Sequence, residues 1–262
     1  MYCILKRERA YVDNRREQII EMMKKNPKVR VDELAEKFQV SLITIRRDLQ
    51  YLEDQNQLVR FYGGATFANS DEFEENEIQL YRKLIARYAA SLVEDGDSLF
   101  INTSTNALQM LEYIKKSNVT VITNNGKAIH MPHPDSVSVI LTGGELRYPK
   151  EAMVGDFAIR NLQTVFPKKA FMGCSGISLL SGMTTEIAGE VKINELMIQN
   201  ATKEVYVLAD HTKVGKNSSF TSSSIQSIKH LITDEKAPED VVNELKSIGV
   251  NIHQVHKGDF DV

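Results

Sequence analysis

The stretch Val31-Asp-Glu-Leu-Ala-Glu-Lys-Phe-Gln-Val-Ser-Leu-Ile-Thr-Ile-Arg-Arg-Asp-Leu49 constrains this chain more than any other, because it specifies two short helices and the turn that joins them. Val31, Leu34, Ala35 and Phe38 recur at i, i+3, i+4 and i+7, which is one apolar stripe of a helix. Ile45, Leu49 and Leu52 repeat the pattern on a second helix. Ser41 stands where an N-cap belongs, with a hydroxyl able to accept from a free first-turn amide. Val40 and Ile45 flank it as a hydrophobic staple, which fixes the angle of entry. Only Gln39 and Val40 separate Phe38 from the cap, the spacing of a helix-turn-helix.

The second helix turns Ile43, Arg47, Gln50 and Tyr51 away from its apolar stripe. Arg can pair guanine bidentately, Gln can pair adenine, and an aliphatic group can touch a thymine methyl, so this face suits the major groove of double-stranded operator DNA. Thr44 and Arg46 lie on its flanks and, with Ser41 at its start, suit phosphates, which position a protein without reading sequence. The alternative is a helical hairpin whose arginines form a solvated face. The run that follows, Leu58-Val-Arg-Phe-Tyr-Gly-Gly-Ala-Thr-Phe67, favours DNA: it is β-rich and broken by two glycines, as a wing is, with Arg60 set against the DNA backbone.

Charge supports a division of labour without proving it. Residues 1–66 hold 13 Lys and Arg against 10 Asp and Glu, whereas the remainder holds 19 against 25. The acidic run Ser70-Asp-Glu-Phe-Glu-Glu-Asn-Glu77 reads as a solvated linker that repels DNA. The chain is therefore read as an extension over 1–14, a winged helix-turn-helix over 15–67, a linker over 68–77 and a larger domain over 78–262. Within the extension, Lys6, Arg7 and Arg9 make either a DNA-contacting arm or simply a frayed helix. No apolar run is long enough to span a bilayer and no secretory segment opens the chain, which predicts a cytoplasmic protein with no membrane partner. Cys3 and Cys174 are too few for a disulfide framework and read as reduced thiols. The six histidines, at 130, 133, 211, 230, 253 and 256, lack the partners of a metal site, and no cofactor is expected.

From residue 78 the pattern alternates. A helix over 78–93 precedes short apolar runs at 98–101, 119–123, 137–141, 170–173, 205–209 and 230–233, with helices between several of them. This predicts an α/β fold with a mostly parallel sheet. Such sheets bind ligands beyond the carboxyl ends of their strands. Polar and glycine clusters follow five of the runs: Asn102-Thr-Ser-Thr-Asn106, Thr123-Asn-Asn-Gly126, Thr142-Gly-Gly-Glu-Leu-Arg147, Gly173-Cys-Ser-Gly176 and Asp210-His-Thr-Lys-Val-Gly215. Each alone fits an ordinary loop; together, with Arg147 and Lys213 among them, they predict a pocket for a phosphorylated small molecule.

Thr44-Ile-Arg-Arg-Asp-Leu49, Leu58-Val-Arg60 and Gly63-Gly-Ala65 resemble the DNA-binding domain of the DeoR family of bacterial transcriptional regulators. The second domain resembles that family's sensor domain, itself similar to ribose-phosphate isomerases with a Rossmann-like sheet. The resemblance implies a regulator, a repressor released from its operator by a phosphorylated sugar, working as a homo-oligomer, dimer or tetramer. It implies effector contacts at Lys83, at Asn102, Thr103, Ser104, Thr105 and Asn106, at Thr123 and Asn124, at Gly143, Gly144 and Arg147, and at Asp210 and Lys213. One loop departs: the family pattern Asp-x-Gly-Thr-Thr is Asn102-Thr-Ser-Thr-Asn106 here, without the charge and without the glycine. The competing function is an active sugar-phosphate isomerase, which needs a carboxylate base. The loop after residue 173 carries no acid, leaving Glu145, Glu186 and Asp210 as the candidates.

Overall fold

The computed structural model describes residues 2–25, 28–55, 57–67 and 70–259, without the side chains of 2–11, 24–25, 67, 70–74 and 76. The chain divides into two compact units, 1–77 and 78–262.

In the first unit, α1 (Tyr2–Lys25) is followed by β1 (Lys28–Arg30), α2 (Val31–Phe38), α3 (Leu42–Asp54), β2 (Leu58–Phe61) and β3 (Gly64–Phe67). The three strands form an antiparallel sheet in the order β1-β3-β2. Gln39 ends α2 in the left-handed conformation at φ 51°, and Ser41 caps α3 by accepting from the Thr44 amide at 3.1 Å. The expected stripes are the buried ones: Val31, Leu34 and Ala35 from α2 meet Ile45, Leu49 and Leu52 from α3, with Ile19 and Met23 of α1 closing the core. The extension read over 1–14 is helical from Tyr2 onward and continuous with the rest of α1. The proposed arm residues Lys6, Arg7 and Arg9, and the thiol of Cys3, lie outside the described side chains.

The acidic run expected as a linker forms the first turns of α4 (Ser70–Ser91). Glutamates are good helix formers, and negative charge is stabilised near a helix N-terminus, so nothing in this run breaks the helix. In the second unit come β4 (Ser98–Ile101), α5 (Thr105–Gln109), β5 (Val119–Thr123), β6 (Val137–Leu141), the hairpin of β7 (Glu145–Arg147) and β8 (Ala152–Val154), and α6 (Asp156–Leu162). They are followed by β9 (Lys169–Gly173), β10 (Gly176–Ser178), β11 (Gly182–Thr185), α7 (Ala188–Asn200), β12 (Glu204–Leu208), β13 (Phe220–Ser223), β14 (His230–Asp234), α8 (Glu239–Ser247) and β15 (Asn251–Val255).

Seven strands make one sheet in the order β15-β14-β12-β9-β4-β5-β6, and every neighbouring pair is parallel. Alternation along the strands sends side chains to two cores. Leu99 and Ile101 of β4, Phe171 of β9 and Tyr206 and Leu208 of β12 pack with Leu84, Ile85 and Ala89 of α4. Phe100, Ala170, Met172, Val205 and Val207 point the other way, toward Ala158 of α6, Ile193 and Met197 of α7 and Val242 and Leu245 of α8. After β4 the chain builds outward through β5 and β6; after β9 it builds the opposite way through β12, β14 and β15. The order therefore reverses between β4 and β9, and a crevice opens there beyond the carboxyl ends of the strands. Among the described residues no helix is long and apolar enough to cross a membrane.

Candidate functional site

The crevice at the switch point is a cavity of about 180 Å³. Its floor comes from the two strands that part there. Beyond the last β4–β9 pair, Ile101 with Phe171, the Asn102 side chain continues the ladder. Its Nδ2 donates to the Gly173 carbonyl at 2.8 Å and to Asn194 Oδ1 at 3.1 Å. Its Oδ1 accepts from the Gly173 amide at 2.9 Å and the Ser104 amide at 3.3 Å. All four bonds of the amide are therefore used within the fold. Ser104 caps α5, accepting from the Ala107 amide at 3.4 Å, and packs so closely on Gly173 that a Cβ there would overlap its side chain. The departures at 102 and 104 thus have structural tasks: the amide joins two strands, and the serine fills space left by a glycine across the gap.

Around this floor stand buried polar groups. Glu190 is 3% exposed, and its carboxylate accepts from the Thr103 hydroxyl at 2.7 Å and the Thr185 hydroxyl at 2.7 Å. Asn194 donates to Ser222 at 3.3 Å, which ties α7 to β13. Asn106 lines the cavity at 3% exposure, and neither its Oδ1 nor its Nδ2 has a partner. A buried amide without partners costs free energy unless something arriving from outside bonds to it.

Cations complete the lining: Arg82, Lys127, Lys150 and Lys213. Arg82 reaches from α4 and pairs with fully buried Asp210 at 2.9 Å. Burial opposes the charge on Asp210, but bonds from the Thr212 hydroxyl and Arg82 and the field of Lys213 outweigh it and hold the carboxyl below its usual value. Asp210 also shapes the loop after β12, accepting from the Thr212 amide at 3.1 Å in an Asx turn that brings Lys213 to the cavity. Lys127 follows β5 in a turn capped by Asn125, and Lys150 sits in the connection between β7 and β8. Among the described residues, Lys127, Lys150 and Lys213 make no ion pair within 4 Å, which leaves the cavity with uncompensated positive charge. Cys174 also lines it, but burial pushes its thiol up to about 12, so it is no nucleophile at neutral pH.

The candidates read from sequence separate accordingly. Asn102, Thr103, Ser104, Thr105, Asn106 and Lys213 line the cavity, with Asp210 directly behind. Lys83 does not: it is exposed on α4, and the neighbouring Arg82 points in, because one residue along a helix is a rotation of about 100°. Thr123 and Asn124 are fully buried outside the lining, where Asn124 donates to the Met153 carbonyl at 3.2 Å and holds the β7–β8 hairpin. Gly143 and Gly144 serve the backbone: both have positive φ, and a Cβ on Gly144 would lie 2.6 Å from the Val154 carbonyl. Arg147 is exposed and pairs with Glu145 at 3.0 Å. Arg82, Lys127, Lys150, Thr185, Glu190 and Asn194 were missed. They come from parts of the chain that only the sheet order and the docked hairpin bring together.

In the first unit, α3 presents Leu42 and Ile43 at 48% and 62% exposure, and Arg46 and Arg47 are exposed without an ion pair among the described residues. Ser41 and Thr44 are occupied with the cap, their hydroxyls 2.8 Å apart. Gln50 donates to Asp54 at 2.8 Å, and the Arg16 guanidinium lies 3.7 Å from the centre of the Tyr51 ring. Arg60 places its Nε on Glu53 at 2.7 Å, bracing the wing against α3. The free, cationic part of this face is thus its first half. Asp48, within the Arg-Arg-Asp run, is 2% exposed and bonds Arg15 at 2.6 Å and Arg16 at 2.9 Å.

Comparison with known proteins agrees with both halves. Residues 15–71 match the DeoR-like helix-turn-helix domain, and residues 79–235 match the DeoR C-terminal sensor domain. An HTH-type transcriptional regulator of Bacillus subtilis, YulB, is 33% identical over 93% of this chain and 97% of its own length. The lactose phosphotransferase system repressor of Staphylococcus aureus is 31% identical over 87% and 94%. The putative aga operon transcriptional repressor of Escherichia coli O157:H7 is 29% identical over 91% and 92%. A ribose 5-phosphate isomerase from Plasmodium falciparum overlaps 52% of the chain at TM-score 0.36 and 15% identity, a likeness too slight to bear on chemistry. A helix-turn-helix head joined to a sensor domain on a wholly parallel sheet, in a chain matched by both family models, makes this protein a DNA-binding transcription regulator of the DeoR family rather than an enzyme.

Proposed function

We propose that this protein represses carbohydrate-metabolism genes and is released from its operator by a phosphorylated sugar bound at the β4–β9 switch point. The observation that carries the reading is the cavity itself, where three lysines without counter-ions surround buried hydroxyl and amide groups and the unpartnered Asn106. Cationic groups recognise phosphate, and a buried carboxylate and amides recognise sugar hydroxyls. The names of relatives that repress the aga operon and a lactose phosphotransferase system support the same class of regulated gene. Arg47 and Ile43 read bases and Arg46 holds phosphate in this scheme; homo-oligomers, dimer or tetramer, present paired heads to paired half-sites.

The experiment is a gel shift on the DNA upstream of the protein's own gene, with a panel of hexose and pentose phosphates. One sugar phosphate should release the DNA. By linkage, operator DNA should weaken that compound by the same factor. Lys213→Ala should bind operator normally and lose the response. Release indifferent to every compound, or an unaltered response in the Lys213 variant, would contradict the proposal.

A further inference from the structure

The cations of the cavity approach it from opposite sides of the sheet. Lys213 follows β12, and Arg82 joins it through Asp210, to which it is bonded. Lys127 follows β5, and Lys150 comes from the hairpin docked on that same loop, where the Gly126 amide donates to the Glu151 carbonyl at 2.8 Å. In the order β12-β9-β4-β5, the two loops are anchored three strand spacings apart, roughly 14 Å. Asn106 sits on the element after β4, between these ends, with both side-chain polar atoms unpartnered.

Arg82 and Asp210 neutralise each other, and Glu190, the carboxylate of the lining, offsets one of the three lysines, which leaves two positive charges in excess. A phosphate beside Lys213 and Arg82 would balance that total but set its charge at one end, leaving Lys127 and Lys150 without an anionic partner at the other. We infer that Lys127 and Lys150 form a second anionic subsite, so that the effector is a sugar carrying an acidic group at each end, with Asn106 bonding the carbohydrate between them. The inference rests on reading this cavity as the effector site. A sugar bisphosphate and a phosphorylated sugar acid share that chemistry.

Calorimetric titration of the full chain separates these cases, with fructose 6-phosphate, fructose 1,6-bisphosphate and 6-phosphogluconate as probes and sulfate at matched ionic strength as the control for unspecific anion binding. A compound anionic at both ends should bind at least about tenfold more tightly than the monophosphate, the equivalent of one added charge-assisted bond. Which of the two does so tells phosphate from carboxylate at the second subsite. K127Q/K150Q should lose the preference and K127R/K150R should keep it, each variant being checked by thermal melting for an intact fold. Equal affinity for all three probes, a preference that survives K127Q/K150Q, or competition by sulfate at similar concentration would overturn the second subsite. Failure of wild type to bind any sugar phosphate would remove the cavity's assignment as effector site, and this inference with it.

Discussion

The two units of this protein handle charge in opposite ways. In the DNA-binding unit, Asp48 is enclosed between Arg15 and Arg16, and Asp13 lies 3.9 Å from Arg16, so that two carboxylates face two guanidinium groups. In the sensor unit, Lys127, Lys150 and Lys213 face a cavity with no ion-pair partner among the described residues, and Asn106 has no hydrogen-bond partner. A closed set of charges organises structure, because every member is satisfied before any ligand arrives. An open set is unfavourable for the free protein and becomes favourable when a complementary ligand enters. On the function proposed above, the contrast leaves Asp48 to architecture and the lysines to recognition.

The largest effect that can break this contrast is at Asp48. Asp48→Ala should cost about 3–5 kcal/mol of stability in the DNA-binding unit, because it removes the buried carboxylate that Arg15 and Arg16 share. Denaturant unfolding of the full chain, followed by a probe in that unit, measures it; a loss below about 1 kcal/mol would show the cluster to be loosely closed.

At the floor of the cavity, Asn102→Asp should destabilise the sensor unit by about 1–3 kcal/mol, since a carboxylate has no proton to give the Gly173 carbonyl or Asn194 Oδ1. If unfolding is unchanged while effector binding is altered, Asn102 is a ligand group and not the tie between strands.

On the DNA face, Arg47→Ala should lose roughly 1–3 kcal/mol of discrimination between operator and mutant sites if it pairs a guanine. Arg46→Ala should weaken all sequences alike and lower the salt slope by about 1. Competition titrations on operator variants distinguish the two, and a uniform loss in the Arg47 variant would reassign it to phosphate.

The smallest expected effect lies at the sheet edge, where Tyr88, His253, His230 and Glu204 are joined by bonds of 3.0, 3.1 and 3.0 Å. Burial and the neighbouring His230 hold His253 below its ordinary value of 6.5. The unfolded chain therefore binds more protons in the window just below 6.5, and stability is lost as pH falls through it. His253→Gln should flatten that slope; an unchanged slope from pH 7.5 to 5.5 would place the proton uptake at another group.

Local repetition made much of this molecule readable in advance. The stripes of α2 and α3 follow from helical periodicity, the Ser41 cap from a hydroxyl three residues past the end of a helix, and β4, β5 and β6 from short apolar runs between loops. β15 was not anticipated, because Asn251-Ile-His-Gln-Val255 is an edge strand whose polar residues are half-exposed. Nor was the helical state of the acidic run, where charge spoke for solvation and said nothing against a helix.

By itself, the sequence determined the helix-turn-helix, the short strands of the sheet and the polar loop at 102–106, since these depend on residues close to one another in the chain. Tertiary structure alone decided which polar groups share the cavity. Placing Arg82 inside and Lys83 outside depends on how α4 lies on the sheet. Bringing Lys127, Lys150 and Glu190 to the loop at 102–106 depends on a strand order that reverses between β4 and β9. Whether a charge is open or closed is likewise set by neighbours distant in the chain, as Asp48 shows by meeting arginines 32 and 33 residues away.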